Sequence, residues 1–112
     1  MAREIIWLPG AEADIAEIGA YLETAASSAV AISVVTKLRA AALRAIDFPS
    51  AARMIPEFND PNRRETFVHE YRLMYRVEAN TISILRVVRG RRLLENVPGS
   101  FEEMAQEPYR AA

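Results

Sequence analysis

The sequence predicts an α+β fold, with an N-terminal strand and an antiparallel helical hairpin packed on one face of a twisted antiparallel sheet (β-α-α-β-β-β, with a candidate short C-terminal helix). Three observations predict it. Apolar residues recur at helical spacing from Ala11 to Ile46, then alternate as in a strand from Tyr71 to Val77. A run of helices is thus followed by a run of strands, the pattern of α+β proteins. The later strands are joined by links too short for parallel crossovers, so they form an antiparallel meander.

Each element has a local cause. Glu4 to Leu8 is a short apolar run stopped by Pro9-Gly10, and reads as a first strand. Ala11, Ile15, Ile18, Leu22 and Ala25 then share one helix face, with Glu12, Asp14, Glu17 and Glu23 elsewhere on the wheel. Pro9 suits the first turn, where its missing N–H costs nothing, and the early acids complement the helix dipole. Ser27 and Ser28 are candidate N-caps for a second helix from about Ala29 to Ile46. Ala31, Val34, Leu38, Ala41 and Ala45 form one stripe of it, and Ile32, Val35, Leu43 and Ile46 a neighbouring one, so it should be covered on two sides. The helix ends in Asp47-Phe48-Pro49-Ser50, because the residue before proline avoids helical angles.

Residues 51–62 read as a loop containing the turn-forming Asn59-Asp60-Pro61-Asn62. Arg64 to Val68 reads as a strand. Tyr71 to Val77 alternates, with Tyr71, Leu73, Tyr75 and Val77 on one face. After the turn Glu78-Ala79-Asn80, Thr81 to Val88 is dense in β-branched residues and reads as a central strand. The first strand should pair with this meander across a long sequence separation. Ser100 and Glu103 would cap a last helix over Phe101 to Gln106. The sheet face opposite the helices is left for arginines.

At 112 residues the chain has the usual size of one domain, taken as 1–112 with 93–112 as a C-terminal extension. There is no cysteine, which excludes disulfides and thiolate metal sites, and His69 is the only histidine, which excludes a multi-histidine site. No cofactor or metal is expected. No apolar run approaches the roughly 20 residues that cross a bilayer, and the N-terminus lacks the apolar core of a signal peptide. A cytoplasmic protein without membrane contact is the expectation.

The net charge of -1 hides an uneven spread. Residues 1–25 hold one base and five acids, whereas residues 63–92 hold eight arginines and three acids. A basic half attracts an acidic partner or a polyanion. Only one of the fourteen bases is lysine, and arginine is the better residue for bidentate pairing with carboxylate or phosphate.

Three blocks carry a resemblance. Residues 5–22 open with a strand ending in Trp7-Leu8-Pro9, then place Asp14-Ile15, Ile18 and Tyr21-Leu22 along a helix. Tyr71-Arg72-Leu73-Met74-Tyr75-Arg76-Val77 is the second block, and Ile84-Leu85-Arg86-Val87-Val88-Arg89-Gly90-Arg91-Arg92 the third. In this order and spacing the chain resembles the RelE/ParE toxin superfamily of type II toxin–antitoxin systems, closer to the ParE branch. Leu8 departs from the Ser or Thr that caps the helix in that family. Arg89 stands where ParE-like members often carry histidine.

The resemblance implies a toxin neutralised by a cognate antitoxin with an acidic C-terminal segment, in a hetero-oligomer. The ParE branch implies block of DNA gyrase without catalysis, with Arg86, Arg89, Arg91 and Arg92 as target-binding candidates and Arg63, Arg64 and Arg76 as antitoxin-binding candidates. The RelE branch implies a ribosome-dependent mRNA endoribonuclease. Arg72 and Arg91 (or Arg92) would then stabilise the phosphorane and His69 would be the natural general base. Against that branch, Glu65 stands where its pattern has lysines, and the nearest late aromatic is Tyr109. An inactive toxin fold that only binds is the third reading. Simpler roles are also open: Trp7, Tyr71 and Tyr75 as core residues, His69 as a turn residue, Arg76 and Arg86 as sheet arginines packed on their stems, and Arg63 and Arg64 as a charged edge.

Overall fold

The computed structural model describes residues 3–90. Within them run β1 (Glu4–Trp7), α1 (Pro9–Ala25), α2 (Ser28–Asp47), β2 (Arg53–Met54), β3 (Arg63–Val68), β4 (Tyr71–Val77) and β5 (Thr81–Arg89). The expected helix over 101–106, the extension after residue 92, Tyr109 and the pair Arg91-Arg92 lie outside the described residues.

α1 begins without a side-chain cap. Leu8 occupies the N-cap position and Pro9 the first turn, where proline fixes a helical φ in advance. The Leu8 side chain is buried instead, in a cluster with Ile55, Met74, Leu85 and Val88. Its carbonyl accepts from the Glu12 N–H and its own N–H donates to the Ile84 carbonyl. α2 is capped conventionally: the Ser27 hydroxyl accepts from the Val30 N–H at 3.1 Å.

The strands form one sheet in the order β1-β5-β4-β3-β2. β2 to β5 are antiparallel, whereas β1 runs parallel to β5, from Glu4 opposite Thr81 to Trp7 opposite Ile84. The sheet is therefore mixed rather than antiparallel throughout: after the helical hairpin β2 runs opposite to β1, and three antiparallel steps from β2 leave β5 parallel to β1. The register of β4 and β5 slips once, between Tyr75 opposite Ile84 and Met74 opposite Arg86. The extra residue, Leu85, bulges and joins the cluster around Leu8.

The main core lies between the hairpin and the sheet. Ala11 and Ile15 of α1, and Val34, Leu38, Ala41, Ala42 and Ala45 of α2, meet Tyr71, Leu73, Tyr75, Ile82, Ile84 and Val87. The alternating face expected for β4 is thus the helix-facing one. The second stripe expected on α2 is only half used. Val35 packs against the core, but Ile32 and Leu43 are 67% and 59% exposed, since no second layer lies over that side.

Candidate functional site

Alternation on β4 turns Arg72, Met74 and Arg76 away from the helices. The register then adds Glu65, opposite Met74, and Arg63, opposite Arg76, to the same face. The expected arginine face exists, but it is not open. The segment after β2 folds back across it, so that Ile55 (fully buried) and Phe58 pack on Met74, Leu85 and Val88. Residues 51–62 are consequently a short strand and a cover, not only a loop.

Beside that cover lies a network of carboxylates and guanidiniums. Glu65 is 1% exposed; it accepts from Arg53 Nε at 2.6 Å and from Arg72 Nε at 2.7 Å. Both terminal nitrogens of Arg72 donate to Glu57, at 3.0 and 2.8 Å. Burial opposes the charge of Arg72, but its bonds to Glu57 and Glu65 outweigh that effect and raise its pKa. The same bond from Arg72 lowers the pKa of Glu57 against the opposing pull of burial. All three nitrogens of Arg72 are thus directed at carboxylates of its own chain, which already neutralise the charge that a phosphate contact would use.

The three antitoxin candidates are likewise engaged within the chain. Arg63 bonds the Asp60 carboxylate, with its guanidinium 5.2 Å from the Phe58 ring centre. Arg64 donates to the carbonyls of Pro61 and Ala52, at 2.7 and 3.0 Å. Arg76 is 3% exposed, with Nε 3.5 Å from Glu78.

Of the target candidates, Arg86 and Arg89 differ. Arg86 forms a two-point pair with Asp14 of α1, at 2.7 and 2.9 Å. Asp14 also accepts from the Val87 N–H at 2.8 Å. β1 has ended by Trp7, so this carboxylate takes over the edge of β5 that β1 leaves bare. Arg86 is therefore tied into the α1–β5 joint instead of projecting from it. Arg89 pairs with Glu70 at 2.9 Å, but both side chains are more than half exposed. The difference matters: a solvent-exposed pair is screened and exchanges easily, whereas breaking a largely buried one leaves a desolvated charge without its partner. Gly90 follows, and a Cβ there would stand 2.9 Å from the Phe67 ring.

His69 and Glu70 form the two-residue turn between β3 and β4, with Val68 paired to Tyr71. His69 is exposed and holds φ 54°, a left-handed backbone usually left to Gly, Asn or Asp. Tyr71 and Tyr75 are buried, which pushes both phenols up. Trp7 packs against the core, with the Arg39 guanidinium 4.6 Å from its ring centre.

Two cations that the sequence reading passed over do face open space. Lys37 and Arg44 of α2, seven residues apart and so on one face, flank a hollow against β3. The signal was present: small alanines stand between them at 40 and 41. Among the described residues, no group of three or more His, Asp or Glu side chains is placed to hold a metal ion, and no helix is long and apolar enough to cross a membrane.

Comparison with known proteins agrees with this architecture. The family described as "ParE toxin of type II toxin-antitoxin system, parDE" matches residues 5–94. Among solved structures, the chain is similar to "Chromosomal ParDE TA system from P. aeruginosa", with TM-score 0.66 and 19% identity over 78% of this chain and 95% of that one. No curated protein matches the sequence significantly.

Proposed function

This chain belongs to the ParE toxin family of type II toxin–antitoxin systems, and from that premise we propose that it arrests growth without catalysis, by binding DNA gyrase, and that a cognate antitoxin neutralises it. One observation carries the non-catalytic part. The guanidinium best placed in sequence to stabilise a phosphorane, that of Arg72, is spent on Glu57 and Glu65. A ribonuclease needs bases and cations converging on one phosphate. Here the sheet cations converge on carboxylates, which supports a structural role for Arg72.

The exposed end of β5 is then the target-contact candidate. Arg89 heads it, and Arg91 and Arg92 follow in sequence. Arg89 gives up only an exposed pair on binding, a small cost. Arg86 supports this segment from below through Asp14.

The test is to induce the chain alone and together with the protein encoded by the adjoining reading frame. The expected outcome is growth arrest with DNA-damage signalling and intact messages, relieved by co-expression. Cleavage of messages on translating ribosomes would reverse the assignment in favour of the endoribonuclease reading. Unimpaired growth would favour an inactive binding fold.

A further inference from the structure

β5 outruns β1. The first strand ends at Trp7, opposite Ile84, and the Leu8 N–H makes the last contact, to the Ile84 carbonyl, as the chain turns into α1. From there to Arg89, among the described residues, that side of β5 has no strand beside it. The bulge at Leu85 decides which residues face the gap. Backbone groups alternate in direction along a strand, and one extra residue reverses the count. Ile84 therefore faces β1 before the bulge, whereas Val87 and Arg89 face that side after it. The opposite side agrees: the Gly90 N–H donates to the Glu70 carbonyl, toward β4.

Asp14 fills the first place in the gap. Its Oδ2 accepts from the Val87 N–H at 2.8 Å and from Arg86 Nε at 2.7 Å, and its Oδ1 accepts from a terminal nitrogen of Arg86 at 2.9 Å. The two side chains are only 11% and 12% exposed. A carboxylate thus does for Val87 what the carbonyl of a neighbouring strand would do. Its own place is fixed, because Ala11 and Ile15, a turn before it and one residue after it, are both buried in the main core. An acceptor carried on a packed helix holds its donor more closely than one on a loop. β5 is so pinned on both sides at Val87, two residues before Arg89.

We infer that Asp14 is a positioning residue for target binding: its carboxylate stands in for the missing strand at Val87 and sets the direction in which Arg89 leaves the sheet. The inference rests on the gyrase reading above. It assigns the effect to the acceptor oxygen rather than to the charge pair with Arg86. The two are separable. An amide keeps an acceptor oxygen and loses the charge. Exchanging the two residues keeps opposite charges but turns a guanidinium, which has no acceptor, toward Val87.

The test compares four full-length chains: the wild type, Asp14→Asn, Asp14→Ala and the exchange D14R/R86D. Each is scored by the concentration that gives half-maximal protein-linked cleaved DNA with gyrase, by thermal unfolding, and by hydrogen exchange of the Val87 amide followed by NMR. Asp14→Asn is expected to keep that amide protected and to keep most of the activity. Asp14→Ala and D14R/R86D are expected to expose the amide and to need about tenfold more protein, although the exchange melts closer to the wild type than Asp14→Ala does. Activity that returns together with the melting temperature in D14R/R86D overturns the inference, since Asp14 then acts through stability alone. So does Asp14→Ala with wild-type potency, and so does Asp14→Asn as weak as Asp14→Ala while its Val87 amide stays protected. These failures all leave the wild type active. A wild type without effect on gyrase overturns the gyrase reading and the inference together.

Discussion

Leu8 shows how one residue can serve two elements at once. It stands at the N-cap of α1, a position that favours Ser, Thr, Asp or Asn, and offers the helix no side-chain acceptor. It is 3% exposed in the cluster under Ile55 and Met74. A good cap contributes about 1 kcal/mol, while emptying a buried leucine site costs about 2–5 kcal/mol. Leu8→Ser is therefore expected to lower stability by about 2 kcal/mol despite restoring the cap. A variant as stable as the wild type in urea unfolding would mean that the cluster on the far face contributes little. At His69 the balance runs the other way. Left-handed backbone costs an ordinary residue about 1–2 kcal/mol, and the imidazole is exposed. His69→Gly should thus be neutral or stabilising by up to about 1 kcal/mol, with growth arrest retained. Loss of arrest at unchanged stability would restore the imidazole as a functional group.

At the scale of elements, the segment 55–62 is held to the sheet by apolar contact and by charge. Ile55 and Phe58 supply the first, and Glu57 with Arg72 the second. Arg72 holds the Glu57 carboxyl below its ordinary value of 4.5, so this clamp contributes fully above that pH. It weakens as pH falls below 4.5 into the range where the folded carboxyl is protonated. Thermal unfolding followed from neutral to acidic pH should show the wild type losing stability in that window and Glu57→Gln losing less of it. Parallel curves would remove Glu57 from the clamp. Little of this clamp was legible beforehand. Glu65 reads in sequence as a charge that repels phosphate from Arg72, and in the fold it neutralises Arg72 directly. The difference lies in register. Nothing local fixes that Thr66 faces Leu73 and Phe67 faces Arg72, and that pairing is what brings Glu65 and Arg72 to one face. The elements themselves were legible because their causes are local: period, caps and proline. β2 was not, because two residues hold no period.

Across the whole molecule, charge separates by function. The basic excess of residues 63–92 was visible in composition, but its disposition was not. Arg63, Arg64, Arg72, Arg76 and Arg86 are absorbed into the joints of the sheet, by carboxylates at 57, 60, 65 and 78, by the carbonyls of Pro61 and Ala52, and by Asp14 on α1. An arginine-rich face is therefore compatible with a molecule that presents few cations outward. Among the described residues the exposed cations include Arg39, Arg53 and Arg89, paired with Glu12, Glu65 and Glu70, and Lys37 with Arg44 beside β3.

The account stands most directly on what the purified chain does to gyrase. Supercoiled plasmid, gyrase and ATP are incubated with the wild type, with Arg72→Lys, and with a form lacking the charges of Arg89, Arg91 and Arg92. The account predicts protein-linked cleaved DNA with the first two and not with the third, while a translating extract treated with the wild type keeps its message whole. Gyrase left untouched by the wild type, with message cut in the extract and that cutting lost on Arg72→Lys, would contradict it.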